Sequence, residues 1–426
     1  MSGHAKTSRR TVIKGAAAGA AASMLAVPAI ARRQESLSGS VSMWAYPLDS
    51  SGDQGADEAM WQALADAFRE QYPDVEVSVE VLPWANRNEK LTTALAAGAN
   101  PDVAYLNDDF IPQHAGDGNI MAVDDVIEDE RDDFLPNAID NLSLDGSLYA
   151  VPILTTVTTA LYNKNLFDQI GVSEYPGTWD EMLELGPQFK EAGVFLTGYP
   201  GALEQTLNLS YFPLLWQAGG EVLNEDGTAA AFNSPEGREA LDFVVTLIQE
   251  GFADESEAVT LPEPGAGLAM EGKVAVIMTG EAGSARRYTE AWGEGAVVIG
   301  APLQNKVQTS YGTTAGFSIF QNSENVDAAK AWVKFITQPE QMETILRSGG
   351  FITPRSSMIG MYGDDPIQGE IEKYADLMHS GVHHPAARQI ISAMGPHIQS
   401  AFLGQTSSED ALAAAEQEVN RLIERG

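Results

Sequence analysis

The 426-residue chain contains no cysteine. Disulfides, thiolate metal sites, a cysteine nucleophile and a lipid-modified cysteine anchor are all excluded by that absence. Basic residues are scarce: 25 Lys and Arg stand against 60 Asp and Glu, for a formal net charge of −35. A surface that acidic repels phosphate backbones and anionic lipid, which argues against nucleic acid or a membrane surface as partner. Also missing are G-x-S-x-G, G-x-x-x-x-G-K-[ST] and a strand-linked G-x-G-x-x-G. Neither a nucleophile elbow nor nucleotide use therefore has support. No run beyond residue 31 approaches the roughly 20 apolar residues of a spanning helix.

What is present begins with a balance of 44% apolar and 20% charged residues, that of a globular protein. The length exceeds one ordinary core and points to at least two domains. At the start, Ser8-Arg9-Arg10-Thr11-Val12-Ile13-Lys14 looks like a twin-arginine export motif. The weakly apolar run GAAAGAAASMLAVPAI follows it, and Ala29-Ile30-Ala31 fits small-x-small cleavage. Residues 1–31 read as a signal peptide; they hold four basic residues and no acid, so the rest is more acidic still.

Along the remaining chain, SLSGSVSMWAYP reads as a first strand ending in a loop. EAMWQALADAFREQYP places Met60, Leu64, Ala67 and Phe68 on one helical face, and VEVSVEVLP alternates as a second strand. A helix, NEKLTTALAAGANP, and a third strand, DVAYLN, complete a β-α-β-α-β pattern that argues for a parallel-rich sheet flanked by helices. A helix-rich region follows VPILTTVTTALYN, with Thr178 as the cap of TWDEM. Further on, KVAVIMTG, GAVVIGAP and GFSIF read as buried strands, and the tail is an amphipathic helix capped at or near Ser408. No compositional border separates two domains, as expected where the chain crosses between lobes more than once.

His379, His383 and His384, near Asp376, approach metal-ligand spacing. Gly381 interrupts them and no H-E-x-x-H is formed, so packed or solvated histidines are the better reading and neither metal nor cofactor is expected. With 60 acids in the chain, no carboxylate pair stands out as a catalytic dyad. Aromatics and short polar groups at strand ends do stand out: Trp44, Tyr46, Trp84, Asp108, Asp109, Thr156, Tyr211 and Trp216. In wound sheets the ligand crevice lies beyond the strand ends, where aromatic faces stack on sugar rings and Asp, Asn and Thr bond hydroxyls.

VPILTTVTTALYNKNLF followed by TWDEM resembles a signature of the family 1 extracellular solute-binding proteins of ABC importers. GANPDVAYLN, FNSPEGREALDFVVTLIQEGF, LAMEGKVAVIMTG, the long segment from Tyr311 to Met358 and ALAAAEQEVNRLI are similar to further family segments, in family order. The resemblance implies a two-lobe periplasmic-binding-protein fold of type II character, closing by hinge bending on its ligand. It places one lobe at 37–155 plus 303–350 and the other at 156–302 plus 351–426. Crossings are expected near Val151–Thr156, Ile299–Leu303 and Gly350–Thr353. By motif position, Tyr46, Asp49, Trp84 and Asn88 line the first lobe's loops, and Asp108 or Asp109 supplies its acidic contact. Thr156 stands where maltose-binding members carry a carboxylate, which speaks against maltose itself. Glu281 stands where an aromatic is frequent, leaving Tyr211, Trp216 or Phe351 as stacking platforms. Gly312 and Gly316 belong to a glycine-rich loop that lets backbone approach the ligand, and Arg355 is a candidate contact for an anion, as are Arg286 and Arg287.

The expectation is a binding protein with no chemistry of its own. It delivers a carbohydrate, expected to be an oligosaccharide, to permease subunits as a monomer without a lipid anchor, in the periplasm or outside the cell. The alternatives are the same fold holding glycerol phosphate or a polyamine, and a secreted carbohydrate-active enzyme.

Overall fold

The computed structural model describes residues 37–49, 54–261, 265–363 and 365–425. The signal-peptide reading at 1–31 lies outside these residues. Nine strands position the site, and they form two sheets. In chain order they are β1 (Gly39–Ala45), β2 (Val75–Val81), β3 (Val103–Asn107), β4 (Val151–Thr155) and β5 (Thr159–Asn163). The remainder are β6 (Phe195–Thr197), β7 (Val274–Gly280), β8 (Val297–Gly300) and β9 (Thr314–Ile319). The first sheet runs β2-β1-β3-β9-β4 and the second β8-β5-β7-β6.

β1 pairs in parallel with β2 and β3, as the sequence pattern requires. β9 is antiparallel to both β3 and β4, because it enters the first sheet on its way back from the second. Likewise β5 runs antiparallel to β7 and β8, while β6 and β7 are parallel. Parallel pairs built from local β-α-β units are thus closed off by antiparallel strands that travel between lobes.

The alternation in GSVSMWA sends Val41, Met43 and Ala45 inward. β4, β5 and β9 are buried along their whole length, so both their faces read apolar or small. The helix Gln54–Gln71 buries Trp61, Leu64, Ala65 and Phe68, spaced i, i+3, i+4, i+7. Ala67, expected on that face, is exposed, and the stripe starts at the larger Trp61. Thr178 makes its capping box: its hydroxyl accepts from Glu181 N at 3.2 Å while Glu181 accepts from Thr178 N at 3.1 Å. The last helix, Ser408–Ile423, is capped by Ser407, whose extended backbone brings its hydroxyl to Asp410 N.

Each sheet has its own core. One gathers residues of β1–β4 and β9 around Trp61, Phe68, Phe317 and Trp332. The other gathers β5–β7 residues with Phe167, Tyr211, Phe212 and Phe402. A small third cluster, Val157, Ala282, Ile352 and Ile371, sits where the chain crosses. Among the described residues, no helix is long and apolar enough to cross a membrane.

Arg355 belongs to the first core's edge, not to an open crevice. It is 1% exposed and donates to Asp133 at 2.9 Å, Glu130 at 2.8 Å and the Thr337 carbonyl at 2.7 Å, with its plane over Phe134. A guanidinium without anions could not persist at that depth, which explains the two carboxylates. Replacing Arg355 with Ala leaves both of them facing a void. We expect a loss of about 3 kcal/mol in urea unfolding, with ligand affinity unchanged at a denaturant-free temperature well below the melting point.

Candidate functional site

Three residues, Thr156, Val157 and Thr158, separate β4 in the first sheet from β5 in the second. Beside them the chain returns through Gly350, Phe351 and Ile352, where Ile352 exchanges two backbone hydrogen bonds with Thr155. Around these crossings lies a cavity of about 340 Å³. Pro47, Leu48 and Trp84 wall it from the first lobe, and Glu281, Gly283 and Arg287 from the second. Of the residues singled out from the sequence, the structure brings Trp84, Thr156, Glu281 and Phe351 together here.

Trp84 is 42% exposed, the exception among large aromatics that are otherwise mostly buried. It lies stacked on Tyr46 with ring centroids 4.8 Å apart, and its indole N–H donates to the Pro47 carbonyl at 3.1 Å. Tyr46 is itself buried and meets Tyr105 edge-on, so the indole is backed by a rigid aromatic ladder, and the Arg87 guanidinium lies 5.1 Å from its ring centre. Such an indole offers a flat apolar platform at low entropic expense.

Beyond the end of β3, Asp108 is 1% exposed. It accepts from the Thr313 hydroxyl at 2.8 Å and from Thr314 N at 3.3 Å, and Thr313 N in turn donates to the Thr156 hydroxyl at 3.1 Å. The acid thus ties the end of β3 to the start of β9 and to the crossing. Burial, and secondarily the charge of Asp109, pushes its carboxyl up to about 7 against those hydrogen bonds.

Asp109 points the other way, toward the second lobe. Arg388, near the start of the helix Ala387–Phe402, donates to it at 2.7 Å and packs 4.3 Å from the Phe110 ring centre. Arg87 approaches the same ring at 4.8 Å and donates to Asn107 at 3.1 Å. Asp109 Oδ1 and Arg388 Nε are buried without a partner, so this contact between lobes is incompletely satisfied.

Other expected contacts sit elsewhere. Trp44 lies within β1, half-buried with the Lys90 ammonium 4.9 Å from its ring centre. Asp49 is half-buried, and its backbone N–H donates to Asp57. Asn88 is half-buried with its side-chain oxygen unpartnered. Tyr211 is fully enclosed in the second core and its hydroxyl donates to the Gly237 carbonyl at 2.9 Å, leaving no face for a ligand. Trp216 is 3% exposed and stacked on His379 at 4.0 Å. Gly312 and Gly316 are required by packing: a methyl group would lie 2.2 Å from the Thr156 carbonyl oxygen at the first and 2.6 Å from that of Val151 at the second. Among the described residues no group of three or more His, Asp or Glu is arranged to hold a metal ion.

Residue-by-residue reading missed Arg87, Thr313, Gln368 and Arg388. Arg87 opens the helix after β2, so strand-end reasoning had access to it. Arg388 has no local signal; only the tertiary fold carries it 279 positions back to Asp109. A second recess of about 370 Å³, lined by Tyr199, Leu209, Pro213, Met278 and Tyr288, lies in the second lobe and shares Glu281 and Arg287 with the first cavity.

Two outcomes are expected. Asp108 holds its proton more firmly folded than unfolded, so its contribution to stability falls as pH rises from about 4 to about 7. Asp108→Asn cannot ionise, and its melting temperature relative to the parent should rise between pH 5 and pH 8; a pH-independent difference would contradict the assignment. Separately, Asp109→Asn or Arg388→Gln should widen the ligand-free molecule, seen as a larger radius of gyration in X-ray scattering, with the ligand restoring compactness.

The model of the bacterial extracellular solute-binding protein family matches residues 52–343. A Brucella abortus chain described only as a binding protein is 26% identical over 298 residues, 68% of this chain and 72% of its own. The mannitol-binding protein of Pseudomonas aeruginosa is 25% identical over 402 residues, covering 87% of this chain and 91% of its own. Among solved structures, a solute-binding protein of Thermotoga lettingae bound to tagatose superposes with a TM-score of 0.77 at 23% identity, over 91% of this chain and all of its own. The Arthrobacter globiformis protein that binds cyclic alpha-maltosyl-1,6-maltose gives 0.77, also at 23% identity, over the same shares. The fold is theirs, and with the family model spanning most of the chain, the protein belongs to the bacterial extracellular solute-binding proteins.

Proposed function

We propose that the chain is the binding component of an ABC importer and holds a carbohydrate between its lobes. The observation that carries this reading is Trp84: an exposed indole, stiffened by Tyr46, on the wall of an inter-lobe cavity whose other walls include Thr156, Glu281 and Arg287. That combination of one flat apolar platform with short polar and charged groups suits a ring that is apolar on its faces and polar around its rim. Relatives named for mannitol, maltotriose and lactose binding support the same class of ligand.

On this reading the protein performs no chemistry. Ligand bound between lobes favours the closed state by its contacts with both, and the permease recognises that state. The crossings at 155–158 and 350–352, with the connection from β8 to β9, act as the hinge, with the lobes being 37–155 plus 303–350 and 156–302 plus 351–426, except that Leu303 and Tyr311 pack with the second core and Phe351, Arg355 and Met358 with the first. Export through the twin-arginine route rests on Ser8–Lys14 and fits a monomer acting in the periplasm or outside the cell.

The test is a thermal-shift screen against polyols and mono- to tetrasaccharides. At a ligand concentration of about 100 times Kd the native state gains about 2.7 kcal/mol, a shift of several degrees. Trp84→Ala should weaken binding of any responding sugar by about tenfold or more while leaving the ligand-free melting temperature nearly unchanged. No response to any polyol or sugar would reject the carbohydrate reading.

A further inference from the structure

We propose that the sugar held in the inter-lobe cavity carries a carboxylate, as a uronate ring does, and that Arg287 selects for it. The inference rests on the carbohydrate reading above and narrows it.

Arg287 lines both the inter-lobe cavity and the second-lobe recess. In a chain where acids outnumber bases more than twofold, it forms no ion pair among the described residues, although Glu281 lies within range of its charge. Its Nη1 sits 3.4 Å from where a methyl on Gly283 would lie, so the guanidinium is folded over the first turn of the helix Ala282–Trp292. Ala282 and Gly283 line the same cavity. Their amides lie in the first turn of an 11-residue helix, where the Glu281 side chain caps the N3 amide and so already sits at the positive end of the dipole.

An independent observation points to a ligand at this place. Gln368 is 1% exposed and lines the cavity, yet its side-chain oxygen has no partner. Next to it Arg286, held by Asp365 through Nη2 at 2.7 Å, keeps Nη1 buried and unpartnered. Both atoms converge over Gly350, at 3.1 and 2.6 Å from the position of a methyl there. Gly350 has φ +68°, so a side chain at this position is opposed by the backbone as well as by these neighbours. Buried donors and acceptors without partners are rare in folded chains and call for an occupant that supplies them.

Charge decides which occupant. Glu281 is the one carboxylate lining the cavity among the described residues, and Asp365 already offsets Arg286. Lobe closure removes water from Arg287, and a guanidinium that loses water without gaining an anion is strongly disfavoured. A neutral hydroxyl accepts one hydrogen bond and leaves Arg287 with only the charge of Glu281, which makes no ion pair with it, in range. A carboxylate meets the planar fork through two parallel bonds and compensates it. The sugar ring to which it is attached then lies toward Trp84, on the cavity's opposite wall, with its remaining hydroxyls free to meet Gln368.

The experiment is isothermal titration of the exported chain with D-galacturonate, D-glucuronate and digalacturonate, beside D-galactose, D-glucose and maltose. Acetate and inorganic phosphate serve as simple anions. Sugar acids should bind about ten- to a hundredfold more tightly than their neutral counterparts, and added salt should narrow the gap. Arg287→Gln should remove the difference, and Arg287→Lys, which keeps the charge but not the fork, should retain part of it. Because Arg287 is exposed and unpaired, both variants should melt with the parent, which the same preparation checks. Equal affinity for acid and neutral sugars, or an Arg287→Gln protein that still prefers the acids, overturns the inference while leaving carbohydrate binding intact. Binding of acetate or phosphate without any sugar overturns both readings, as does silence toward every probe.

Discussion

Two buried strands, β4 and β5, are one piece of chain with three residues between them, and that continuity governs the rest of the molecule. β4 is locked into the first sheet by β9, and β5 into the second by β7 and β8. Any relative movement of the lobes must therefore be absorbed at Thr156–Thr158, at the neighbouring return through Gly350–Ile352, and along the chain between β8 and β9. Thr158 is bonded there to Ser310 and to the Tyr311 carbonyl, so the connection is ordered rather than slack. Short, hydrogen-bonded crossings of this kind suit rotation of two rigid bodies better than sliding.

The polar groups of the crevice are placed by this constraint. Asp108 would be an expensive burial alone, but it is the acceptor that joins the ends of β3 and β9 to Thr156 through Thr313. Its position makes it a structural bridge at the rim of the crossing. Asp109, adjacent in sequence, faces away from that bridge and reaches Arg388 of the other lobe. Neighbouring acids thus divide two tasks, one holding a lobe together and one holding the lobes to each other.

Much of the architecture is legible in the sequence. The alternating patterns of β1 and β2, the mostly buried β7 and β9, and the Thr178 capping box all follow from local rules that tertiary contacts reinforce. The ordered segments from Tyr311 to Met358 pointed to the chain's return to the first lobe. The crevice was harder to read. Trp84, Thr156, Glu281 and Phe351, singled out by strand-end reasoning and motif position, line one cavity. Tyr211 and Trp216 did not open onto it, because aromatic residues on a short helix serve a core as readily as a ligand. Arg355 is chemically suited to an anion and found two, Glu130 and Asp133, within its own lobe. Arg388 was invisible because nothing in its neighbourhood announces a partner that sits most of the chain away.

The order in which strands enter the first sheet also bears on how the protein is made. β9 lies between β3 and β4 in space, yet it is synthesised after the whole of the second sheet. Until it emerges, β3 and β4 have no common neighbour, and their buried edges stay unpaired. Neither lobe is a contiguous stretch that can finish before the next begins, since the helices Ala387–Phe402 and Ser408–Ile423 pack on the second core from the far end of the chain. Completion of the native state is consequently a late event on the ribosome or after release.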